Sequence, residues 1–171
     1  GRDAMIIVCP LNKAHALIET HGARHAVSLL SADTPHPQFA ALDPDNHLRL
    51  TFHDIIQPMD GMSPPRAADA ERLVNFLMGW ERQAPMLIHC WAGISRSTAA
   101  AYTALCLLRP DDDEEQLAFE LRQASPSATP NRLIVSFTDR LLGRQGRMVE
   151  AIDKIGRGAE AFEGTPFVLK V

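Results

Sequence analysis

Apolar residues recur in short runs that predict buried β-strands. Four runs of four or five residues are bounded by loops rich in Pro, Gly, Asp or Asn, as is typical of strands. A short apolar segment near the end of the chain, at 167–169, predicts either a fifth strand or packed chain. The four predicted strands are residues 5–9, 26–30, 48–52 and 86–89.

Helical spacing of apolar residues appears between and after these runs. Ser63 before Pro64 is a favourable helix start, and Leu73, Phe76, Leu77 and Trp80 follow with the i, i+3, i+4, i+7 spacing of a buried stripe. Thr129 before Pro130 predicts another helix start, and the segment 97–108 is apolar almost all round, which predicts a buried helix. The remaining predicted helices are 12–21, which is weak, 113–124, 130–143 and 147–155.

The order of these elements predicts an α/β fold. Alternating strands and helices are typical of a mainly parallel central sheet flanked by helices. A length of 171 residues is typical of one domain with a sizeable core. We therefore predict a single domain over residues 5–171, with residues 1–4 as a non-native remnant ahead of Met5.

Composition and charge narrow the classes of function. A net charge of −4 gives no electrostatic basis for binding nucleic acid or an acidic membrane. No apolar run is long enough to span a bilayer, and we expect no signal peptide. Three cysteines are few and odd in number, which is typical of free thiols in a reducing compartment. We expect a cytoplasmic protein; its oligomeric state stays open.

The stretch LIHCWAGISRST, residues 87–98, carries the candidate chemistry. A strand ends at Cys90, a tight loop follows, and Arg96 begins a buried helix. Ligands of open α/β sheets bind at the carboxyl ends of strands, and Gly93 permits a turn whose amides face inward. The helix N-terminus and the forked guanidinium of Arg96 favour an oxyanion, and they favour a thiolate at Cys90.

Residues 89–97 resemble the signature of cysteine-dependent protein tyrosine phosphatases, which is His-Cys, five residues, then Arg and Ser or Thr. The chain length and the position of Cys90 resemble the compact dual-specificity branch, and more closely its bacterial predicted tyrosine phosphatases. Residues 125–131 also resemble a segment of that group, and the resemblance covers roughly residues 5–143. The end of the chain, including 156–158, looks like the same subgroup, but we attach no chemistry to it.

The resemblance implies a role for each residue of the stretch. Cys90 would attack phosphorus and form a phosphocysteine, and Ser97 would donate a hydrogen bond to its sulfur. His89 would fix the loop, and Asn131 would brace neighbouring loops. Such an enzyme needs no metal and no cofactor. The phosphate would be held by the Arg96 side chain and by the backbone amides of Trp91, Ala92, Gly93, Ile94, Ser95 and Arg96.

The general acid has to come from another loop, because in-line attack places the leaving group opposite Cys90. Asp54 ends the third predicted strand, 36 positions before Cys90, and Asp60 lies 30 positions before it. The resemblance implies a spacing of about thirty, which favours Asp60; the rigidity of a strand end favours Asp54, which we prefer. His53 is a weaker third candidate.

Other functions remain open at this stage. The predicted activity is protein-tyrosine or dual-specificity phosphatase, with a phosphorylated protein or peptide as substrate. A phosphoinositide or nucleotide phosphatase is an alternative, although residues 91–95 contain no lysine for a highly charged substrate. A catalytically inactive phosphate-binding module, a sulfurtransferase and an arsenate reductase are further alternatives. Cys9 and Cys106 are predicted core residues; a redox pairing of Cys9 with Cys90 is a lesser possibility.

Overall fold

Five strands form one central sheet in the computed structural model, which describes residues 4–171. The four parallel strands lie in the order β3-β2-β4-β1, and β5 pairs with β1 in the antiparallel direction. The mainly parallel sheet is thereby confirmed, and the apolar tail is a strand. The strands are β1 Met5–Pro10, β2 His25–Leu30, β3 His47–Thr51, β4 Met86–Cys90 and β5 Phe167–Lys170.

Six helices flank the sheet, as the predicted fold class requires. Helix α1 covers one face together with Phe39 and Leu42 of the loop after β2, and a larger core forms on the other face. The helices are α1 Leu11–His21, α2 Ala67–Met78, α3 Arg96–Leu108, α4 Glu114–Ala124, α5 Arg132–Leu141 and α6 Arg147–Ile155.

Helix α3 lies in the middle of the larger core. Every residue from Arg96 to Cys106 is buried, which explains why its sequence is apolar almost all round. The neighbouring strand β1 alternates: Ile6 and Val8 face this core, while Ile7 and Cys9 face α1. Helix α3 begins shortly after the carboxyl end of β4, so its N-terminus lies at the loop that joins the two elements.

Two predicted helix starts are wrong. Helix α2 begins at Ala67 rather than after Ser63, because Ser63 pairs with His53 and the Asp69 carboxylate accepts from the Arg66 amide. Helix α5 likewise begins after Asn131, whose side chain accepts from an amide of the first turn. The backbone of Ser63 is instead hydrogen-bonded to His53, and the hydroxyl of Thr129 accepts from the Gly158 amide.

The N-terminal prediction falls mostly outside the described residues, which exclude positions 1–3. Ala4 is buried, and its carbonyl accepts a hydrogen bond from the Val171 amide at 3.1 Å. Whether residues 1–4 are a non-native remnant stays a prediction. From residue 4 onward, no helix has the length and apolar character needed to cross a membrane.

Candidate active site

The Cys90 sulfur sits at the base of a loop between β4 and α3. It is buried, and it accepts a hydrogen bond from the Gly93 amide at 3.2 Å. The Ser97 hydroxyl oxygen lies 3.1 Å from the same sulfur. Two groups that can stabilise negative charge on sulfur therefore converge on Cys90.

The carbonyl groups of the loop point away from its centre. Those of Trp91, Ala92, Ile94 and Ser95 accept from the amides of residues 11, 164, 129 and 131, at 2.8 to 3.1 Å. In a planar trans peptide the N–H points opposite to the carbonyl. The amides of residues 92, 93, 95 and 96 therefore face inward, and the bowl they form is suited to an oxyanion.

Gly93 is required by this geometry. Its φ of +72° is unfavourable for residues with a side chain. A Cβ at this position would lie 2.7 Å from the Pro10 nitrogen and 2.8 Å from the Cys9 carbonyl carbon. The loop can pack against the end of β1 because this residue has no side chain.

Arg96 is buried and anchored by one nitrogen. Its Nη1 donates to the Ser31 hydroxyl at 3.0 Å and to the Phe52 carbonyl at 2.9 Å. Its buried Nε has no hydrogen-bond partner in the described chain. A buried donor without a partner is costly, and a bound oxyanion would satisfy it.

His89 belongs to a buried chain of hydrogen bonds. Its Nδ1 lies 3.0 Å from the Cys90 carbonyl, which can only accept, so Nδ1 carries the proton and Nε2 accepts. The Ser28 hydroxyl then donates to Nε2 over 2.6 Å and accepts from the Nε2–H of His47 at 2.8 Å. The chain fixes the orientation of His89 and, through it, the end of β4.

Both histidines of this chain are held neutral. Burial is the main cause, and it lowers the pKa of His89 and that of His47 to about 4. A neutral His89 that donates to a backbone carbonyl orients the loop and does not supply a proton. The positioning role that the resemblance implies for His89 stays a prediction.

Acid should destabilise the fold through these two histidines. The unfolded chain takes up their protons below about pH 6.5, whereas the folded state resists until about pH 4. The contribution of the two neutral histidines to the free energy of unfolding is complete above pH 6.5. It is lost as the pH falls, by about 3 kcal/mol per histidine at most. Urea unfolding at pH 7.5 and pH 5 measures it.

Two histidine variants distinguish the destabilisation caused by these buried histidines from a general effect of acid on the fold. His47→Gln should reduce the difference in unfolding free energy between the two pH values, whereas His15→Gln, at an exposed position, should not. An equal difference in both variants and the parent protein would contradict the assignment.

Asp54 lies in the loop after β3 and contacts Ser95, the residue just before α3. Its Oδ1 accepts from the Ser95 hydroxyl at 2.7 Å and from the Asn131 side-chain amide at 2.8 Å. Asn131 also donates to the Ile55 carbonyl at 3.2 Å, so it braces the loop after β3. Both of these donors go to Oδ1, and Oδ2 accepts no hydrogen bond from the described residues.

The alternative acids occupy other positions. Asp60 is exposed in a turn closed by Met59 and Met62, and no hydrogen bond brings it to the loop. His53 is engaged with Ser63, whose amide donates to its Nδ1 at 2.9 Å. The geometry therefore favours Asp54 over both.

A cavity of about 920 Å³ adjoins the bowl. Asp54, Ile94 and Ser95 form the wall that it shares with the loop. The segment after α6, including Arg157 and Phe162, also lines it. Trp91 of the loop is 45% exposed, and its ring lies 5.4 Å from that of Phe162, which lines the cavity.

The other cysteines lie in the core. Burial raises the pKa of the Cys106 thiol to about 12, and burial together with the nearby Cys90 sulfur does the same for Cys9. Cys9 faces α1 and Cys90 faces α3, so the sheet separates their side chains. This arrangement disfavours a disulfide between them.

Several residues around the loop escaped the sequence analysis. Ser28 was visible as a lone polar residue in an apolar strand, and His47 precedes another strand. Ser31 and the segment 156–164 gave no chemical signal, since their roles depend on contacts with distant residues.

This chain is similar to known proteins in its fold but not detectably in its sequence. No protein-family model matches the sequence, and no curated protein is similar enough to count as a relative. Many solved structures share the fold.

Three of them illustrate the likeness. The PTP-2 phosphatase of Cydia pomonella is 22% identical with a TM-score of 0.61, over 82% of this chain and 90% of its own. The human tyrosine phosphatase-like serine/threonine/tyrosine-interacting protein is 17% identical with a TM-score of 0.64, over 85% and 99%. PTPMT1, solved in complex with PI(5)P, is 15% identical with a TM-score of 0.58, over 82% and 94%. The chain therefore has the fold of the compact tyrosine and dual-specificity phosphatases.

Proposed function

We propose that this protein is a phosphomonoester hydrolase of the protein-tyrosine phosphatase type. The observation that carries the proposal is the bowl itself: the Cys90 sulfur lies at its base, inward-facing amides line it, and Arg96 has a buried donor without a partner. An oxyanion bound in this bowl would place phosphorus in front of the sulfur. The fold shared with the PTP-2 phosphatase of Cydia pomonella supports the same conclusion.

The proposed reaction has two steps. In the first, the Cys90 sulfur forms a bond to phosphorus while the bond to the leaving oxygen breaks, and Asp54 gives that oxygen its proton. In the second, water attacks phosphorus, Asp54 takes a proton from it, and the sulfur–phosphorus bond breaks. The Ser97 hydroxyl, 3.1 Å from the sulfur, stabilises the departing thiolate.

Arg96 should not tolerate replacement by lysine. Its Nη1 donates to Ser31 and Phe52, so the other guanidinium nitrogens are the ones that would bind the phosphate oxygens. A lysine keeps the charge but has a single nitrogen and cannot make both sets of contacts. We expect Arg96→Lys to lower kcat by about 10²–10³, the usual cost of removing a donor to a developing negative charge. Steady-state kinetics with p-nitrophenyl phosphate measures this, and near-normal kcat and KM would make Arg96 a structural residue only.

The substrate we propose is a phosphorylated protein or peptide, with phosphotyrosine as the phosphorylated residue. PTPMT1 was solved with a phosphoinositide, which keeps that class as the second candidate. However, the cavity beside the bowl has no excess of positive charge. Its Arg132 is paired with Asp153 at 3.0 Å, and Glu160 lies on the same wall as Arg157. A highly charged headgroup would need more unpaired cations.

Two further parts of the proposal, the bacterial subgroup and the cytoplasmic location, are supported by the sequence. The likeness to bacterial predicted tyrosine phosphatases depends on residues 89–97 and 125–131. A cytoplasmic location depends on three cysteines that form no disulfide in the described chain.

Phosphate release tests the proposal. Wild-type protein is expected to release phosphate from p-nitrophenyl phosphate and from a phosphotyrosyl peptide, and more slowly from phosphoinositide vesicles. Parallel assays for thiosulfate sulfurtransfer and arsenate reduction cover the other thiolate chemistries. If no phosphomonoester is cleaved while Cys90 and Arg96 are intact, the protein is a phosphate-binding module instead.

A further inference from the structure

The segment between α6 and β5 passes directly beside the phosphate bowl. We call residues 156–164 the strap; it contains no helix or strand. The Gly158 amide donates to the Thr129 hydroxyl at 3.0 Å, and the Ala159 amide donates to the Pro126 carbonyl at 2.9 Å. At the other end, the Gly164 amide donates to the Ala92 carbonyl of the loop at 2.8 Å. Both ends of the strap are thus attached to segments that shape the site.

Two glycines allow the strap to approach this closely. A Cβ on Gly158 would lie 2.5 Å from the Ser127 carbonyl, and one on Gly164 would lie 2.7 Å from the Gly93 carbonyl oxygen. Both contacts are with backbone, which cannot move aside as a flexible side chain can. The strap can therefore pack against the loop only because these two residues have no side chain.

Between these attachments the strap exposes an aromatic side chain. Phe162 is 79% exposed, and its ring meets that of Trp91 edge to face, with centroids 5.4 Å apart and planes at 82°. An exposed phenyl ring does not gain the hydrophobic free energy that burial would give it. A ring held in this way at the rim of a site is well placed to contact a bound ligand.

The chemistry of the proposed function directs the organic part of the substrate to the strap. The proton donor must contact the leaving oxygen, which lies opposite the sulfur. Asp54 is the donor in the proposed mechanism, and it lines the same cavity as residues 156–162 of the strap. The group attached to the leaving oxygen therefore enters this cavity.

We propose that the strap is a substrate-recognition wall, and that Phe162, supported by Trp91, packs against the ring of the phosphotyrosyl side chain. This inference rests on the proposed function, because it uses Asp54 as the proton donor. It makes Phe162 a specificity-determining residue that discriminates aryl from alkyl phosphomonoesters.

Binding to a variant without the nucleophile tests the inference separately from turnover. Calorimetry measures the Kd of a phosphotyrosyl peptide and of the same peptide with phosphoserine, on Cys90→Ser and on Cys90→Ser with Phe162→Ala. The loss of Phe162 should weaken phosphotyrosyl binding about 3- to 10-fold, the usual value of an aromatic contact, and phosphoseryl binding less than about twofold.

Two further variants control for folding and for general loss of apolar surface. Phe119→Ala removes a ring that is 54% exposed on α4 and does not line the cavity, so it should change neither Kd. Phe162→Tyr keeps the ring and should bind the phosphotyrosyl peptide like the parent. Thermal unfolding midpoints of all variants should agree within about 2 °C, as expected for surface substitutions.

The outcomes separate the two proposals. Equal losses for both peptides, or a Phe162→Ala result like that of Phe119→Ala, would overturn the recognition wall while wild-type turnover leaves the phosphatase proposal standing. Discrimination between the peptides without wild-type turnover would support the wall and refute the hydrolase. Absence of phosphotyrosyl binding to Cys90→Ser would overturn the wall.

Discussion

Cys90→Ser is expected to lower kcat by about 10⁴ or more, since the covalent intermediate cannot form without the sulfur nucleophile. The bowl should survive the change. Its inward amides are set by carbonyl contacts with residues 11, 129, 131 and 164, none of which involves the sulfur. Phosphate release from p-nitrophenyl phosphate measures the loss of activity. Orthovanadate binding, followed by the tryptophan fluorescence to which Trp91 of the loop contributes, measures the surviving bowl.

A matched change at a second cysteine provides the control. Cys106 is buried in α3 away from the loop, so Cys106→Ala should retain turnover even if it costs stability. Turnover by Cys90→Ser above a tenth of the wild-type value would exclude the covalent mechanism. Loss of vanadate binding together with turnover would mean that the substitution had collapsed the loop.

Asp54→Asn is expected to lower kcat by about 10²–10⁴, the usual contribution of general acid catalysis. The loss should grow with the basicity of the leaving group, because a poor leaving group depends most on protonation. The alkaline fall of kcat should disappear, since the variant has no acid to deprotonate. A series of aryl phosphates, each measured across pH, tests all three expectations.

Asp60→Asn is the comparison variant for this prediction. Asp60 lies in an exposed turn, whereas Asp54 is held by Ser95 and Asn131, so only the change at Asp54 should show the leaving-group dependence. The reverse result would assign the general acid to Asp60 and leave the two-step mechanism in place.

The phosphate bowl depends on packing from several parts of the chain. Four loop carbonyls are engaged by the start of α1, the segment before α5 and the strap. Ser28 links His89 to His47 through the middle of the sheet. Stability of the loop and chemistry at Cys90 are therefore coupled, and acid that protonates these histidines is expected to affect both.

Much of the fold was predictable from local pattern. The parallel strands were recognised as short apolar runs, and α6 was predicted over its observed length, because strand and helix periodicities are properties of neighbouring residues. The starts of α2 and α5 were misplaced, because Ser63 and Thr129 make tertiary hydrogen bonds instead of beginning helices. The acid remained open between Asp54 and Asp60, because spacing along the chain does not give distance in space.

Local sequence pattern predicted the four parallel strands, the buried helix α3 and the grouping of Cys90, Gly93 and Arg96, since each of these depends on residues within one short stretch. Tertiary structure decided what surrounds them. Asp54 meets Asn131 across 77 positions of sequence, His89 meets Ser28 across 61, and Arg96 meets Ser31 across 65. Hydrogen bonds of this kind form only after the sheet has brought strand ends together, so no local pattern encodes them. The close approach of Gly164 to Gly93 is of the same kind, because it joins residues that are distant in the sequence.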